Sequence, residues 1–514
     1  MLDKRYIPSI SDIMAIGLLF LAILLSYGLI HTRGLQCDDF CMGWLAYRSS
    51  LIDGVLFWTE NYNGRAFLAV VQQLMYKLPM FNDPLNGKWF IYHGLIVLMH
   101  FFNTFLIYIL LRRFALCIAS VLLACLIFSI HPILMQSIMW LAAGYGYVLG
   151  TSLFLLGAYF FLSDIKQPAL WKMVLSFIFF LFASLGIEQF VVVLMTLAFL
   201  NAFYLNRGSR FRHRYAPLII SCIIAMIMLS MHFTLTTGTV QRMHRAHSAG
   251  IEMKPVTETL RTFLWRLNPW PSHSPFGSRF AVGLEFLKAN FVLTVGVLAA
   301  ILLSVLTCLR KSTWMIDSSL SVSRRKLAIV GAMICGAALA PFVFTGRYGM
   351  HPRVLYIPLM GISVTGAVFL DKFFPERKWT SVFTKSVVTI LCGLFIGLSI
   401  ITNLGAQKFF ADSWDMHKNV MTSLIRDKQL IKEKRYIEIE GIPPAPVDEI
   451  HHLDTSWGFP CMVRWLLNDQ TVSGWTNQIP LEERRDGQPI RYIYADSKLL
   501  RTNLPEHQLI RDVK

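Results

Sequence analysis

Charge is what this chain has least of. Lys, Arg, Asp and Glu make up 15% of its 514 residues, where soluble domains carry about a quarter. That deficit excludes a soluble globular fold for the main body, and a mean hydropathy of +0.51 agrees. Acidic residues are scarcer than basic ones, 31 against 48, which leaves a net charge of +17. No zinc-finger spacing and no basic helix with interleaved aromatics accompanies the excess, so no nucleic-acid partner is expected. No cluster of His, Cys and carboxylates stands at metal-ligand spacing, so no metal site is assigned, although a divalent cation at Asp38 and Asp39 is compatible with the residues. No fixed-period repeat and no low-complexity tract is present. The first apolar run, "DIMAIGLLFLAILLSYGLI", lacks a small-residue cleavage site and is longer than a signal-peptide core, so it reads as a retained span.

Six of the nine cysteines, Cys117, Cys125, Cys222, Cys308, Cys335 and Cys392, lie singly in apolar runs, where Cys is a small core hydrophobe. Cys37, Cys41 and Cys461 fall in segments expected outside the cytoplasm, where a disulfide is chemically allowed. Free thiols are the expected state, with a Cys37–Cys41 bond or a pair through Cys461 left open.

Apolar stretches long enough to cross hydrocarbon as helices recur through the chain. They fall near 12–30, 89–111, 114–135, 138–162, 170–187, 189–206, 216–236, 290–309, 327–346, 353–371 and 381–403. The expected fold is therefore an all-α polytopic membrane protein of about eleven spans. Alternate connections are basic: "LRRF", "DIKQPALWK", "LNRGSRFRHR", "RKSTWMIDSSLSVSRRK" and "DKFFPERKW". Basic short loops stay in the cytoplasm, which puts the N-terminus inside and the C-terminus outside. The opposite face receives short loops without Lys or Arg and two long ones, 31–88 and 237–289. From residue 404 the composition turns soluble, and "KEKRYIEIEGIPPAP" reads as a charged helix, a strand and a Pro-rich turn. "PIRYIYADSKL" reads as another strand. Two units follow: 1–403 in the membrane, and 404–514 as a small extracytoplasmic α/β domain.

Sorted by face, the unusual polar residues gather on the extracytoplasmic one. They include Asp38, Asp39, Tyr62, Arg65, His93, His131, Gln136, Glu188, Gln189, Arg242, Arg245, Arg347 and Arg353. Glu188 lies between two apolar runs, and an ionisable group there needs a partner or a water-filled cavity. Arginine forks suit phosphate. Carboxylates and arginines on one face point to a pocket for an anionic, lipid-bearing substrate. Asp38 and Asp39 are adjacent, so their side chains diverge: one is expected in a cavity, the other orienting it or binding a metal or hydroxyl. Taken singly, each of these residues also fits a solvated loop charge, an interface anchor or a structural ion pair.

An ordered set of pieces extends the reading: "DDFCMGW", "YNGR", "HPILMQSIMWLAAGYGYVLG", "LGIEQF", "TTGTVQR" and "RYGMHPRVLYIP", over roughly residues 30–360. In this the chain resembles the polytopic GT-C glycosyltransferases that use polyprenyl-phosphate sugars, and among them the bacterial serotype-converting O-antigen glucosyltransferases. It departs from their pattern at Gln189 and at Thr237-Gly238-Thr239, and residues 404–514 match no part of it. The resemblance implies a GT-C-like enzyme of the bacterial inner membrane with a periplasmic active site. Its donor would be an undecaprenyl-phosphate sugar, with glucose as the expected sugar, and its acceptor lipopolysaccharide O-antigen or another surface glycan. Asp39 or Asp38, in that order, would be the general base. Tyr62, Arg65, His131, Glu188, Gln189, Arg242, Arg347 and Arg353 would bind substrate. Rival readings are a lipid-linked sugar flippase or other transporter, an O-antigen polymerase or ligase, and a membrane scaffold. Against a transporter stand the missing repeats and the position of the polar residues at one face rather than at mid-depth.

Overall fold

The computed structural model describes residues 9–61, 65–114, 116–166, 169–205, 211–235, 256–267, 276–309, 323–345, 351–372, 382–445, 453, 458–479 and 489–502. Helix α1, Ile10–Tyr27, opens on a capping box in which Ser9 and Asp12 satisfy each other's backbone amides. Asp12 is buried. It accepts from the Tyr108 hydroxyl at 2.6 Å and from Arg112 Nε at 3.2 Å, which closes one end of the bundle with a charge pair shielded from lipid.

Past α1 the sequence loses long apolar runs, and three short helices follow: α2 (Asp38–Arg48), α3 (Leu51–Asn61) and α4 (Ala66–Tyr76). The chain then returns through α5 (Trp89–Arg112) and α6 (Ile118–Ile130). Pro132, which cannot donate a backbone bond, ends α6, and the path bends by 41° into the segment Pro132–Met139, whose second half is α7 (Met135–Met139). Helices α8 (Leu141–Gly144) and α9 (Gly150–Lys166) are joined by a π-turn at Tyr145–Leu149. The Val148 carbonyl in that turn accepts from Asn103 Nδ2 at 2.8 Å and from the Ser152 hydroxyl at 3.1 Å. Polar side chains between apolar helices thus satisfy backbone that lipid cannot. His100 is used the same way, donating to the Ser129 carbonyl and accepting from Tyr356 Oη. Helices α10 (Leu170–Gly186) and α11 (Gln189–Leu200) come next.

The chain is a multi-pass membrane protein, but the described residues do not show eleven spans. Among the described residues six helices are long and apolar enough to cross a membrane, or up to eight if each of two bent pairs is one span. Leu170–Gly186, Gln189–Tyr204 and Tyr215–Ile227 are apolar but shorter. The run at 290–309 is preceded by a second helix, Phe276–Ala289, set at 111° to it, in a stretch expected to be loop.

The run at 381–403 also differs. Its helix does not stop where the composition changes but continues from Val382 to Arg426, 45 residues. At 1.5 Å per residue that is about 68 Å, roughly twice the hydrocarbon thickness. Its second half stays helical on charged pairs such as Lys408–Asp412 and Asp415–Lys418, and the expected unit boundary at 403/404 falls inside it.

Beyond it lies a four-stranded sheet in the order β2-β1-β3-β4, made of β1 (Tyr436–Glu440), β2 (Ser473–Thr476), β3 (Ile490–Ala495) and β4 (Lys498–Thr502). β1 is parallel to both neighbours, while β3 and β4 form an antiparallel pair. The helix Gly458–Leu467 joins this sheet to α2 in two ways. Cys461 is disulfide-bonded to Cys41, so those two cysteines are not the free thiols expected. Trp465 lies so close to Gly43 that a Cβ there would stand 2.0 Å from its ring.

The helices Phe276–Ala289 and Val382–Arg426 touch backbone to backbone: a Cβ on Gly405 would stand 1.7 Å from the Arg279 carbonyl oxygen. Gly405→Val is expected to destabilise the detergent-solubilised protein by at least about 2 kcal/mol. Gly17→Ala, where nothing lies within 4 Å, is expected to leave the melting temperature unchanged or raised.

Candidate functional site

A cavity of about 130 Å³ opens where α2, α3, α4, the α8 turn and the Pro352–Leu355 turn meet. Its lining includes Asp38, Arg65, Gln72, Trp140, Tyr147 and Arg353. Trp58 of α3 closes another side. The π-turn carries Tyr147 into this wall, a placement that such turns often serve.

Asp38 and Asp39 open α2, where successive side chains point about 100° apart. Cys37, just before them, has φ +33°, a conformation that a non-glycine residue holds only when its surroundings enforce it. The result separates the pair. Asp38 is half-buried and lines the cavity. Asp39 is fully buried and is not part of the lining, accepting from the Gln36 amide at 2.9 Å and the Ala142 amide at 2.8 Å. Burial pushes the Asp39 carboxyl up from 3.8 to about 8, against the lowering effect of those two amides.

Arg65 precedes α4 and meets Glu188, the residue before α11, through a two-pronged ion pair of 3.0 and 2.7 Å. Desolvation alone would raise Glu188; the Arg65 fork holds it below the usual carboxylate range. Arg353 also lines the cavity, its guanidinium 4.6 Å from the centre of the Trp140 ring, a cation–π contact. The Arg353 backbone is fixed by the Gln136 side chain and the Ser137 hydroxyl.

The structure therefore brings Asp38, Arg65 and Arg353 together, with Glu188 joined to the set through Arg65. Gln189 is not in the lining; its amide donates to the Ala338 and Val354 carbonyls and ties three helical segments together. His131 is not in it either: Nε2 donates to the Leu267 carbonyl, and Nδ1 accepts from the Ile133 amide. Tyr62, Arg242 and Arg347 lie outside the described residues. Among the described residues no group of three or more His, Cys, Asp or Glu side chains could hold a metal ion. The polar and aromatic lining residues not expected from sequence are Trp58, Gln72, Trp140 and Tyr147. Trp140 and Tyr147 sit in "WLAAGYGYVLG", where unusual aromatic and glycine density was the available signal.

No family model matches the sequence, and no curated protein matches it. A solved structure of related shape is ArnT from Cupriavidus metallidurans bound to undecaprenyl phosphate, at 13% identity and a TM-score of 0.36 over 89% of this chain and 85% of that one. A likeness of that degree carries no argument about this chain.

Two outcomes follow from these electrostatics. The Arg65–Glu188 pair is 25% and 47% exposed, and Arg112–Asp12 only 2% and 1%. Glu188→Gln is expected to change unfolding free energy by less than about 1 kcal/mol, and Asp12→Asn to cost about 3–5 kcal/mol, as read from denaturation in detergent. Separately, native Asp39 keeps its proton up to about pH 8 while the unfolded chain loses it near 3.8. Stability is thus expected to fall as pH rises between those values, and Asp39→Asn to flatten that fall in a series of melting curves.

Proposed function

We propose that the chain is a membrane glycosyltransferase that moves a sugar from a polyprenyl-phosphate donor to a glycan acceptor at the extracytoplasmic face. The observation that carries this reading is the cavity that collects a carboxylate, Asp38, and two guanidiniums, Arg65 and Arg353, from three distant stretches of chain. Glycosyl transfer from a phosphate-linked donor needs one base, at least one anion stabiliser, and a wall that sheds water. Trp58, Trp140 and Tyr147 supply apolar faces against which a sugar ring can lie.

In this reaction the acceptor hydroxyl oxygen attacks the anomeric carbon as its proton passes to the first-loop aspartate. The bond from that carbon to the phosphate oxygen breaks, and the polyprenyl phosphate departs with the electron pair. The transition state is oxocarbenium-like, and a single displacement inverts the centre. Negative charge grows on the leaving phosphate, where the guanidiniums of Arg353 and Arg65 stabilise it. Of the two aspartates, Asp38 fits the base, because it borders the cavity whereas both Asp39 oxygens accept from backbone amides. Glucose as the sugar, and O-antigen or a related surface polysaccharide as the acceptor, remain part of the proposal through the resemblance of "DDFCMGW", "YNGR" and "RYGMHPR".

The sidedness has independent support. The Cys41–Cys461 bond lies on α2 itself, one turn from Asp38, and disulfides persist in oxidising compartments. That agrees with a periplasmic site in a bacterial inner membrane, an N-terminus inside and the sheet outside.

The test is sugar transfer from a polyprenyl-phosphate hexose by the purified chain in lipid. Asp38→Asn is expected to lower kcat by about 10²- to 10⁴-fold, and Arg353→Ala by about 10²- to 10³-fold, with normal expression. Full activity in Asp38→Asn rejects the base assignment. Movement of the donor across the bilayer without covalent product favours a flippase instead.

A further inference from the structure

The second aspartate of the pair has contacts that the transfer reaction does not use. Asp39 is 0% exposed, and each of its oxygens is spent on a different piece of backbone. Oδ2 accepts from the Gln36 amide, and the Asp39 amide in turn donates to the Gln36 carbonyl at 2.8 Å. A closed ring therefore holds the turn around Cys37, whose φ of +33° needs such enforcement. Oδ1 reaches across to the Ala142 amide in the first turn of α8.

Ala142 is held from its other side as well, because its carbonyl accepts from Gln72 Nε2 at 3.1 Å. Gln72, Ala142 and neighbouring Trp140 all line the cavity, as Asp38 does. One buried carboxyl group thus links the turn that leads into Asp38 to another part of the cavity wall.

We propose that Asp39 is a positioning residue: it sets the distance between Asp38 and the Trp140–Ala143 wall without touching substrate. The proposal rests on Asp38 as the base for its kinetic consequence, but the clamp itself is a property of the fold. Asparagine keeps the size of the side chain and only one acceptor oxygen. Its Nδ2 must then face either the Gln36 or the Ala142 amide, donor against donor, so one of the two links opens.

The experiment uses the full chain in lipid nanodiscs and has two arms. In the first, hydrogen exchange is followed by mass spectrometry in peptides covering 36–42 and 140–144. Asp39→Asn is expected to speed exchange in at least one of them, whereas Gln72→Ala leaves 36–42 as in wild type. Unchanged exchange in both peptides of Asp39→Asn overturns the clamp, whatever the protein's activity.

In the second arm, transfer from a polyprenyl-phosphate hexose is measured per folded molecule. Asp39→Asn is expected to lower kcat by about 10- to 100-fold, the scale of a misplaced catalytic group. KM is expected to stay within about 3-fold, and the acid limb of the pH profile to stay where wild type has it. A kcat within 2-fold of wild type reduces Asp39 to a purely structural residue and overturns the proposal. So does an inactive Asp39→Asn beside an active Asp38→Asn, because Asp39 is then the base. If wild type transfers no sugar at all, the functional reading fails, and the exchange arm still decides the clamp.

Discussion

The joint on which the candidate site depends is the Asp39 carboxyl group between two backbone amides. Few arrangements bury an aspartate completely near a membrane surface, because its polar oxygens cost free energy there unless partners replace water. Here one partner, Gln36, lies in the turn that leads into Asp38 and the other, Ala142, in the cavity wall, so the same bonds that make the burial tolerable also fix the site's width. Asp38, one residue earlier and about 100° round the helix, is thereby turned toward the cavity that Arg65 and Arg353 share.

Around that joint the fold supplies rigidity from several directions. The C-terminal sheet is fastened to α2 by the Cys41–Cys461 bond and by Trp465 against Gly43. Trp465 also enters an aromatic group with Tyr76 and Trp89 behind the site. The Val382–Arg426 helix carries the sheet out of the membrane as a single rod. Inside the bundle, His100, Asn103 and Ser152 use their polar atoms on backbone and on one another, which keeps the π-turn, and with it Tyr147, in place. Polar residues in this chain thus serve two ends: within the bundle they satisfy one another, and at one end they face a cavity.

Much of this was legible in the sequence, and the reasons are physical. Long apolar runs identify spans because lipid imposes length and composition, so α1, α5 and the Tyr356–Asp371 helix lie where the runs predict. Asp38, Arg65 and Arg353 were legible because charge on a lipid-facing chain needs a reason. The count of spans was not, since hydropathy does not reveal that Pro132 bends one run or that Phe276–Ala289 adds a helix beside another. The rod through residue 404 was hidden because charged residues at i, i+3 and i, i+4 stabilise helix as well as they mark soluble sequence. His131 and Gln189 look like ligands in sequence, yet both His131 ring nitrogens and the Gln189 amide nitrogen are taken up by Leu267, Ile133, Ala338 and Val354. The different surroundings of Asp38 and Asp39 depend on a turn at Cys37 and on Ala142, about a hundred residues away, and no local pattern encodes that contact.

The central claim is that one cavity holds both the base and the leaving phosphate. An experimental structure of the chain in nanodiscs with a polyprenyl phosphate bound tests it most directly. Phosphate oxygens are expected within hydrogen-bond distance of Arg353, with the Asp38 carboxylate facing the same cavity. A phosphate seated elsewhere in the molecule, with this cavity empty, contradicts it.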